Sequence, residues 1–164
     1  MSFVPVAPPT ETECEKNWLP IDEKRVIYRW HPLEIGEIVP QEPKMAKLRI
    51  THSLATPRWC RHLRGSAPPI VVDGELWVLT HLISAHWPRN YLHMWVVLHP
   101  ETFTPLQHTP PFYLHGQGVE YCLGAQPWPP VSPTSIHLFL SVWDRESYFL
   151  EVSVENVRKR LRSF

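Results

Sequence analysis

The segment HGQGVEYCLG, residues 115–124, places one carboxylate, Glu120, and one thiol, Cys122, among glycines and aromatic residues. The carboxylate either faces a ligand or is an ordinary acid in a tight turn. A cysteine nucleophile needs a base within hydrogen-bonding reach, and the histidine nearest to Cys122 in sequence, His115, lies across a glycine turn. The chain also contains neither a GxSxG motif nor a glycine-rich phosphate-binding loop. Nucleophilic catalysis is therefore not expected.

A second group of residues with binding chemistry is the tripeptide Arg64, Gly65 and Ser66. The guanidinium of Arg64 offers a planar pair of donors to a phosphate or to paired hydroxyls. Gly65 allows the backbone to come close to a ligand, and the hydroxyl of Ser66 can both donate and accept. On the sequence alone, an arginine before a glycine is more often a surface turn residue, so both interpretations stay open.

The remaining carboxylates and histidines limit the reactions that the chain could perform. Glycosidic hydrolysis normally needs two carboxyl groups that flank the bond, and Asp144 and Glu146 suit the tip of a hairpin. No second carboxylate is thus identified beside Glu120. The 10 histidines are widely spread and none has the short spacing of a metal site, so we predict neither a metal nor a cofactor.

Composition indicates one small folded protein made of short extended segments. The chain has 164 residues, with 43% hydrophobic and 20% charged residues, and 19 prolines against 6 glycines. The 16 basic and 16 acidic residues give a formal net charge of zero, which makes nucleic acid a poor partner. No apolar run is long enough to cross a membrane, and the N-terminus lacks the features of a signal peptide. We therefore expect a cytoplasmic protein whose Cys14, Cys60 and Cys122 are reduced thiols.

Alternation along the chain predicts several antiparallel strands. Residues 1–13 have no periodicity and are interpreted as a flexible arm, so that the folded domain covers residues 14–164. KRVIYRW reads as a strand, whereas residues 41–61 show no clean period and are expected to cross the surface between two sheets. AspGly at 73 and 74 predicts a tight hairpin turn.

Near the C-terminus, the runs IHLFLSVW and YFLEVSV predict a second hairpin around residues 144–147, and Ser153 is a candidate helix N-cap. Small antiparallel sheets laid side by side favour a β-propeller, although a β-sandwich explains the pattern almost as well. The fold prediction is thus an all-β chain with a short C-terminal helix.

Six segments carry a resemblance to a known family, and they occur in the following order: EKNWLP at 15–20, IYRWHPLEI at 27–35, LRGSAPPIVVDGELWVLTH at 63–81, YLHMWVVL at 91–98, PPFYLHGQGVEYCLG at 110–124 and LFLSVWDRESYFLEV at 138–152. Together they look like the C-terminal part of five-bladed β-propeller proteins related to the β-mannoside phosphorylases and mannosidases, which often accompany glycosyltransferases. The resemblance implies a partial propeller of about three blades. Two earlier blades, including one with an acidic sugar-binding motif, have no counterpart here, and a partial propeller exposes open edges.

The resemblance also implies a ligand site in a central funnel. There Lys16 would meet an anionic oxygen, Asn17 would bind sugar hydroxyls, and Glu120 would either contact a sugar or hold an arginine in place. The full set of implied ligand-binding residues is Lys16, Asn17, Arg64, Gly65, Ser66, His81, Tyr91, His93 and Glu120.

The resulting functional prediction is a carbohydrate-associated domain that binds a sugar or a sugar phosphate, as a remnant of a glycoside phosphorylase or hydrolase. Because the acidic blade is missing, catalysis by this chain alone is not expected, and no catalytic residue is assigned. The alternative is a non-catalytic interaction module that docks on a glycosyltransferase or on a second copy of itself.

Overall fold

The computed structural model describes residues 4–10, 15–41, 44–84, 89–116 and 118–164. These residues are mostly β-strand, with one sheet curled into a half barrel and a short helix near the C-terminus, so the prediction of a mainly β chain with a short C-terminal helix is confirmed. The chain divides into two compact units, Met1–Arg61 and His62–Phe164. The predicted boundary between the arm and the domain falls on residues 13 and 14, which lie outside the described residues. Residue 14 is Cys14.

The first unit contains a five-stranded sheet in the order β1-β5-β4-β3-β2. Its strands are β1 (Val6–Ala7), β2 (Leu19–Pro20), β3 (Arg25–Trp30), β4 (Leu33–Gln41) and β5 (Met45–Leu54). Strand β1 pairs with β5 in parallel, and the other neighbours are antiparallel. The KRVIYRW strand is therefore confirmed as β3, and part of the predicted flexible arm forms β1.

Strand β5 shows that the interpretation of residues 41–61 as an irregular surface crossing is wrong. Ala46 and Leu48 are buried while Lys47 and Arg49 are exposed, which is the two-residue period of a strand with one packed face. Charged residues on the open face lower the hydrophobicity of the whole segment and hide this period. A short 3-10 helix, Arg58–His62, follows the strand.

The second unit contains two sheets and one helix. The six-stranded sheet has the order β14-β10-β9-β8-β6, with β7 also paired to β8, and the three-stranded sheet has the order β11-β12-β13. The elements are β6 (Arg64–Gly65), β7 (Ile70–Val72), β8 (Glu75–Ile83), β9 (Tyr91–Leu98), β10 (Pro105–His108), β11 (Glu120–Trp128), β12 (Ser135–Val142), β13 (Glu146–Ser153), α1 (Val154–Arg158) and β14 (Arg162–Ser163).

Both predicted hairpins are present in this unit. Asp73 and Gly74 join β7 to β8 with φ angles of 49° and 81°, as a tight turn with positive φ requires. At the second hairpin the positive φ angles lie at Trp143 (55°) and Asp144 (54°), so the tip lies slightly N-terminal to the predicted residues 144–147. The β-branched and aromatic residues of β12 and β13 predict the two paired strands, but they do not determine the position of the turn.

The helix N-cap at Ser153 is confirmed as well. The Ser153 hydroxyl oxygen accepts a hydrogen bond from the backbone N–H of Asn156 at 3.3 Å, which satisfies one of the free donors in the first turn. Val154 and Val157 are buried and join the core of the second unit. The helix thus closes one end of that core.

The core of the second unit lies between the two sheets. Trp77, Leu79, Trp95 and Val97 of the larger sheet form one cluster with residues on the inner face of the smaller sheet, which are Cys122, Ile136, Leu138 and Leu140. Each of these large apolar side chains stabilises the fold by about 1.5–3 kcal/mol when fully buried. The described residues include no helix long and apolar enough to cross a membrane.

Candidate functional site

Seven of the nine predicted ligand-binding residues lie in the second unit, near one end of its strands. Arg64 and Gly65 form β6 and Ser66 follows it, His81 is in β8, Tyr91 and His93 are in β9, and Glu120 opens β11. The other two, Lys16 and Asn17, precede β2 in the first unit, where Lys16 is exposed and Asn17 has a φ angle of 63°.

The register of the larger sheet brings several of these residues together. Arg64 pairs with His81, and His81 pairs with His93 on the opposite neighbour. Directly paired residues point to the same face of a sheet, and this face also carries Leu79 and Trp95 of the core. The apolar face therefore becomes polar at the end of β8 and β9, where His81 and His93 are nevertheless buried.

His81 is the centre of the contacts at this end. Its Nδ1 lies 3.0 Å from the hydroxyl oxygen of Ser66, its ring stacks on Tyr91 at 5.5 Å between centroids, and the ring of Tyr121 packs edge-on at 5.3 Å. With His81 only 2% exposed, these contacts fix the orientation of the imidazole. We call Arg64, Ser66, His81, Tyr91 and Tyr121 the His81 cluster.

Tyr121 was not among the predicted residues. Its hydroxyl donates to the carbonyl oxygen of Gly65 at 3.4 Å, so it links β11 to the turn that carries Arg64. Burial raises the pKa of Tyr121, and the nearby Cys122 and Tyr91 add to the shift, so the hydroxyl keeps its proton at neutral pH. Its position next to Glu120 in GVEYC is the one sequence feature that points to it.

Arg64 is the exposed cation of the His81 cluster. Within the part of the chain that the structure describes, no carboxylate forms an ion pair with it. Its two neighbours in the tripeptide are buried, so the backbone beneath the guanidinium is held in place. The guanidinium is therefore available to an anionic or hydroxyl-bearing ligand.

Of the roles that the sequence left open for Glu120, the contacts favour that of an acid in a turn, and not an ion pair with Arg64. Its Oε1 accepts a hydrogen bond from the backbone N–H of Leu114 at 2.7 Å, and its Oε2 accepts from His115 at 2.8 Å and Gly116 at 3.1 Å. The side chain is 2% exposed. The carboxylate thus holds residues 114–116, which we call the Glu120 loop, and it does not brace Arg64.

The electrostatics of Glu120 follow from these contacts. Burial raises the pKa of the Glu120 carboxyl, but His93 and the three backbone N–H donors lower it, and the pKa lies below its usual range overall. Since a general acid in glycoside cleavage needs a raised pKa, Glu120 is unsuited to that task. It is an ionised structural carboxylate.

His93 is the polar side chain of the site whose burial is least compensated by hydrogen bonds. It is fully buried, and its Nδ1 lies 3.6 Å from Oε1 of Glu120, which is too far for a hydrogen bond. Among the described residues, neither of its ring nitrogens has a hydrogen-bond partner. Its backbone is nevertheless fixed, because it exchanges two hydrogen bonds with Phe112 at 2.7 and 2.9 Å.

The described residues contain no group of three or more histidine, cysteine, aspartate or glutamate side chains that could hold a metal ion. Comparisons with family models, with curated proteins and with solved structures give no match for this chain. The residues of the site are therefore the main evidence for its chemistry.

Proposed function

We propose that the second unit binds a sugar or a sugar phosphate at the His81 cluster. The observation that carries the proposal is an exposed Arg64 that has no ion-pair partner among the described residues and pairs in the sheet register with the fixed His81. A guanidinium matches phosphate oxygens or paired hydroxyls, and the partly buried rings of Tyr91 and Tyr121 can offer apolar faces to a sugar. His81, which is 2% exposed, holds these groups in place.

The resemblance to five-bladed propellers related to β-mannoside phosphorylases supports the same ligand class. In this proposal the three sheets of the described residues correspond to three blades of a partial propeller. The proposal does not include catalysis, because Glu120 is committed to the Glu120 loop.

Isothermal titration calorimetry of the full chain against a panel of mannosides and sugar phosphates tests the proposal. We expect Arg64→Ala to weaken binding by about 1–3 kcal/mol, the range for a charged hydrogen bond, without changing the thermal melt, since the side chain is exposed. Arg162→Ala is the matched control, because Arg162 is an exposed cation on β14 of the same unit. Absence of binding by the unmodified chain, or equal losses in both variants, would refute the proposal.

A second candidate function is an interaction module, and one surface supports it. The outer face of the three-stranded sheet exposes four large apolar side chains, which are Leu123 (61%), Trp128 (50%), Phe139 (45%) and Phe149 (58%). Phe139 and Phe149 are directly paired, with ring centroids 5.7 Å apart. An exposed apolar patch of this kind is typical of protein contacts.

The occupant that we propose for this outer face is a second copy of the chain. A formal net charge of zero means that two copies do not repel each other strongly, and two identical apolar sheet faces can pack in a symmetric dimer. Sedimentation velocity should show a dimer that Phe149→Ser weakens and that Val71→Ser, at an equally exposed site on β7 (57%), does not. A monomer at all concentrations would eliminate this candidate, and would leave docking on a glycosyltransferase without support.

A further inference from the structure

Two edge strands of the sheets are covered by a further short strand, and β13 is not. In the first unit the edge strand β5 is covered by β1, and in the second unit the edge strand β10 is covered by β14. Both covering strands are only two residues long. Strand β13 ends its sheet and, within the described residues, pairs only with β12.

The backbone groups of β13 that remain open can be assigned from the register. The N–H of Val154 donates to the carbonyl oxygen of Thr134 at 3.0 Å, and the ladder between β12 and β13 continues from there without a shift. Because hydrogen-bonded pairs alternate along an antiparallel ladder, Val152 and Leu150 bond to β12. Phe149 and Glu151 therefore direct their N–H and C=O groups to the open edge.

A groove of about 590 Å³ runs along this edge. One wall is Leu150–Ser153 with the end of α1, and the opposite wall is formed by residues 109–114. Phe112, Leu114, Leu150 and Val152 give it an apolar lining. We call it the β13 groove. An extended chain that enters it meets open backbone groups on one side and apolar side chains below, which is the arrangement used in β-strand addition.

The charges at the α1 end of the β13 groove favour an acidic residue of the ligand at that end, whereas Glu151 of β13 adds a carboxylate to the rest of the lining. Lys159 and Arg160 line it at the α1 end, and Lys159 already pairs with Glu155 at 2.7 Å. Among the described residues, Arg160 forms no ion pair. A carboxylate on the incoming segment would therefore find a cation without displacing another acid.

We propose that the β13 groove binds an extended segment of a partner protein, which adds to β13 as a strand and places an acidic side chain at Arg160. The segment lies antiparallel or parallel to β13 and bonds to the backbone of Phe149 and Glu151, while alternate apolar side chains contact Phe112, Leu114 and Val152. This binding site is separate from the His81 cluster and does not depend on sugar binding.

A second copy of the chain fits the β13 groove less well. Strand β13 carries Glu146 and Glu151 and no cation, so pairing two β13 strands brings like charges together, which is unfavourable between neighbouring strands. Pairing of β13 with itself would appear in the test below as dimerisation without peptide binding.

Fluorescence anisotropy with labelled synthetic peptides tests the proposal on the full chain. The peptides alternate an apolar residue (valine, leucine or phenylalanine) with threonine and end in two glutamates. Matched peptides end in two lysines or carry N-methyl groups on alternate residues. We expect the glutamate peptides to bind at least about tenfold more tightly than either matched series, since the first comparison removes the charge pairing and the second removes the strand hydrogen bonds.

Variants of the chain give an independent readout. Glu151→Pro removes an N–H that faces the open edge by the register of β12 and β13 and has no partner among the described residues. Proline is tolerated on edge strands, so binding should fall at least about tenfold while Glu151→Ala binds normally. Arg160→Glu should reverse the preference between glutamate and lysine peptides. Equal binding of N-methylated and unmethylated peptides by the unmodified chain, or no binding of any peptide, overturns the proposal even if Glu151→Pro fails to fold.

Discussion

Replacing Glu120 by glutamine tests most directly whether the hydrogen bonds of its carboxylate stabilise the Glu120 loop. Glutamine has nearly the shape of glutamate, so packing around the 2% exposed side chain is preserved. However, a carboxylate offers two acceptor oxygens, whereas an amide offers one acceptor and one donor. The change therefore acts on the hydrogen bonds of the Glu120 loop and on the charge, not on volume.

The magnitude follows from the three bonds that Glu120 accepts. If the amide oxygen keeps the two N–H groups of His115 and Gly116, the amide NH₂ group faces the N–H of Leu114 and leaves it without an acceptor. If it is turned the other way, two N–H groups are left unsatisfied. An unsatisfied buried donor costs about 1–3 kcal/mol, and the remaining bonds lose their charged acceptor. We expect Glu120→Gln to lower the free energy of unfolding by about 2–4 kcal/mol.

The loss of the Glu120 carboxylate should also change how the stability depends on pH. The pKa of Glu120 is lower in the folded chain than its ordinary value of 4.5, so the folded state binds fewer protons than the unfolded state in this range. The stabilisation is fully present above the unfolded pKa and is lost as the pH falls through the folded pKa. The unmodified chain should therefore lose stability more steeply than Glu120→Gln below about pH 4.5.

Urea unfolding at several pH values, followed by tryptophan fluorescence, measures both quantities. Glu101→Gln is the control, because it makes the same chemical change at an exposed side chain of the same unit. Equal losses of stability for the two variants at pH 7, or parallel pH profiles for Glu120→Gln and the unmodified chain, would show that the backbone bonds to Glu120 contribute little.

Two further predictions concern a glycine of the second unit and the two cysteines that the structure describes, Cys60 and Cys122. Gly118→Ala should destabilise the chain by about 2–4 kcal/mol in urea unfolding, because Gly118 has a φ angle of 128° and an added Cβ would overlap the Trp143 indole. Gly116→Ala, with no atom within 4 Å of the added carbon, should be nearly neutral. Burial raises the pKa of the Cys60 and Cys122 thiols to about 11 each, so peptide mass mapping should find neither alkylated by iodoacetamide at pH 8 in the folded chain and both alkylated in urea.

The parts of the fold that the sequence predicts well are those where one local interaction decides. AspGly at 73 and 74 sets a turn because few other pairs accept two positive φ angles. Ser153 sets the start of a helix because its side chain replaces a missing backbone acceptor. Both effects act over a few residues and need no knowledge of what packs nearby.

The parts that it predicts poorly depend on distant residues. Within residues 41–61, the segment Met45–Leu54 has a strand period that its charged side chains obscure. Only the pairing of β5 with β4 along its length makes clear that these side chains lie on an open face. Tyr121 becomes a site residue only because β11 brings it against His81 and the carbonyl oxygen of Gly65, which is 56 residues away. No local pattern encodes a contact over that separation.

The contacts of Glu120 also decide what kind of ligand the His81 cluster favours. A carboxylate beside Arg64 would have neutralised the guanidinium and left a site suited to neutral sugars. Instead, the carboxylate of Glu120 accepts hydrogen bonds from three backbone N–H groups, and the charge of Arg64 is not compensated within the described residues. Since a cation without a partner gains most from an anionic ligand, we infer that a sugar phosphate binds the His81 cluster more tightly than the corresponding neutral sugar, and that the difference decreases as salt concentration rises.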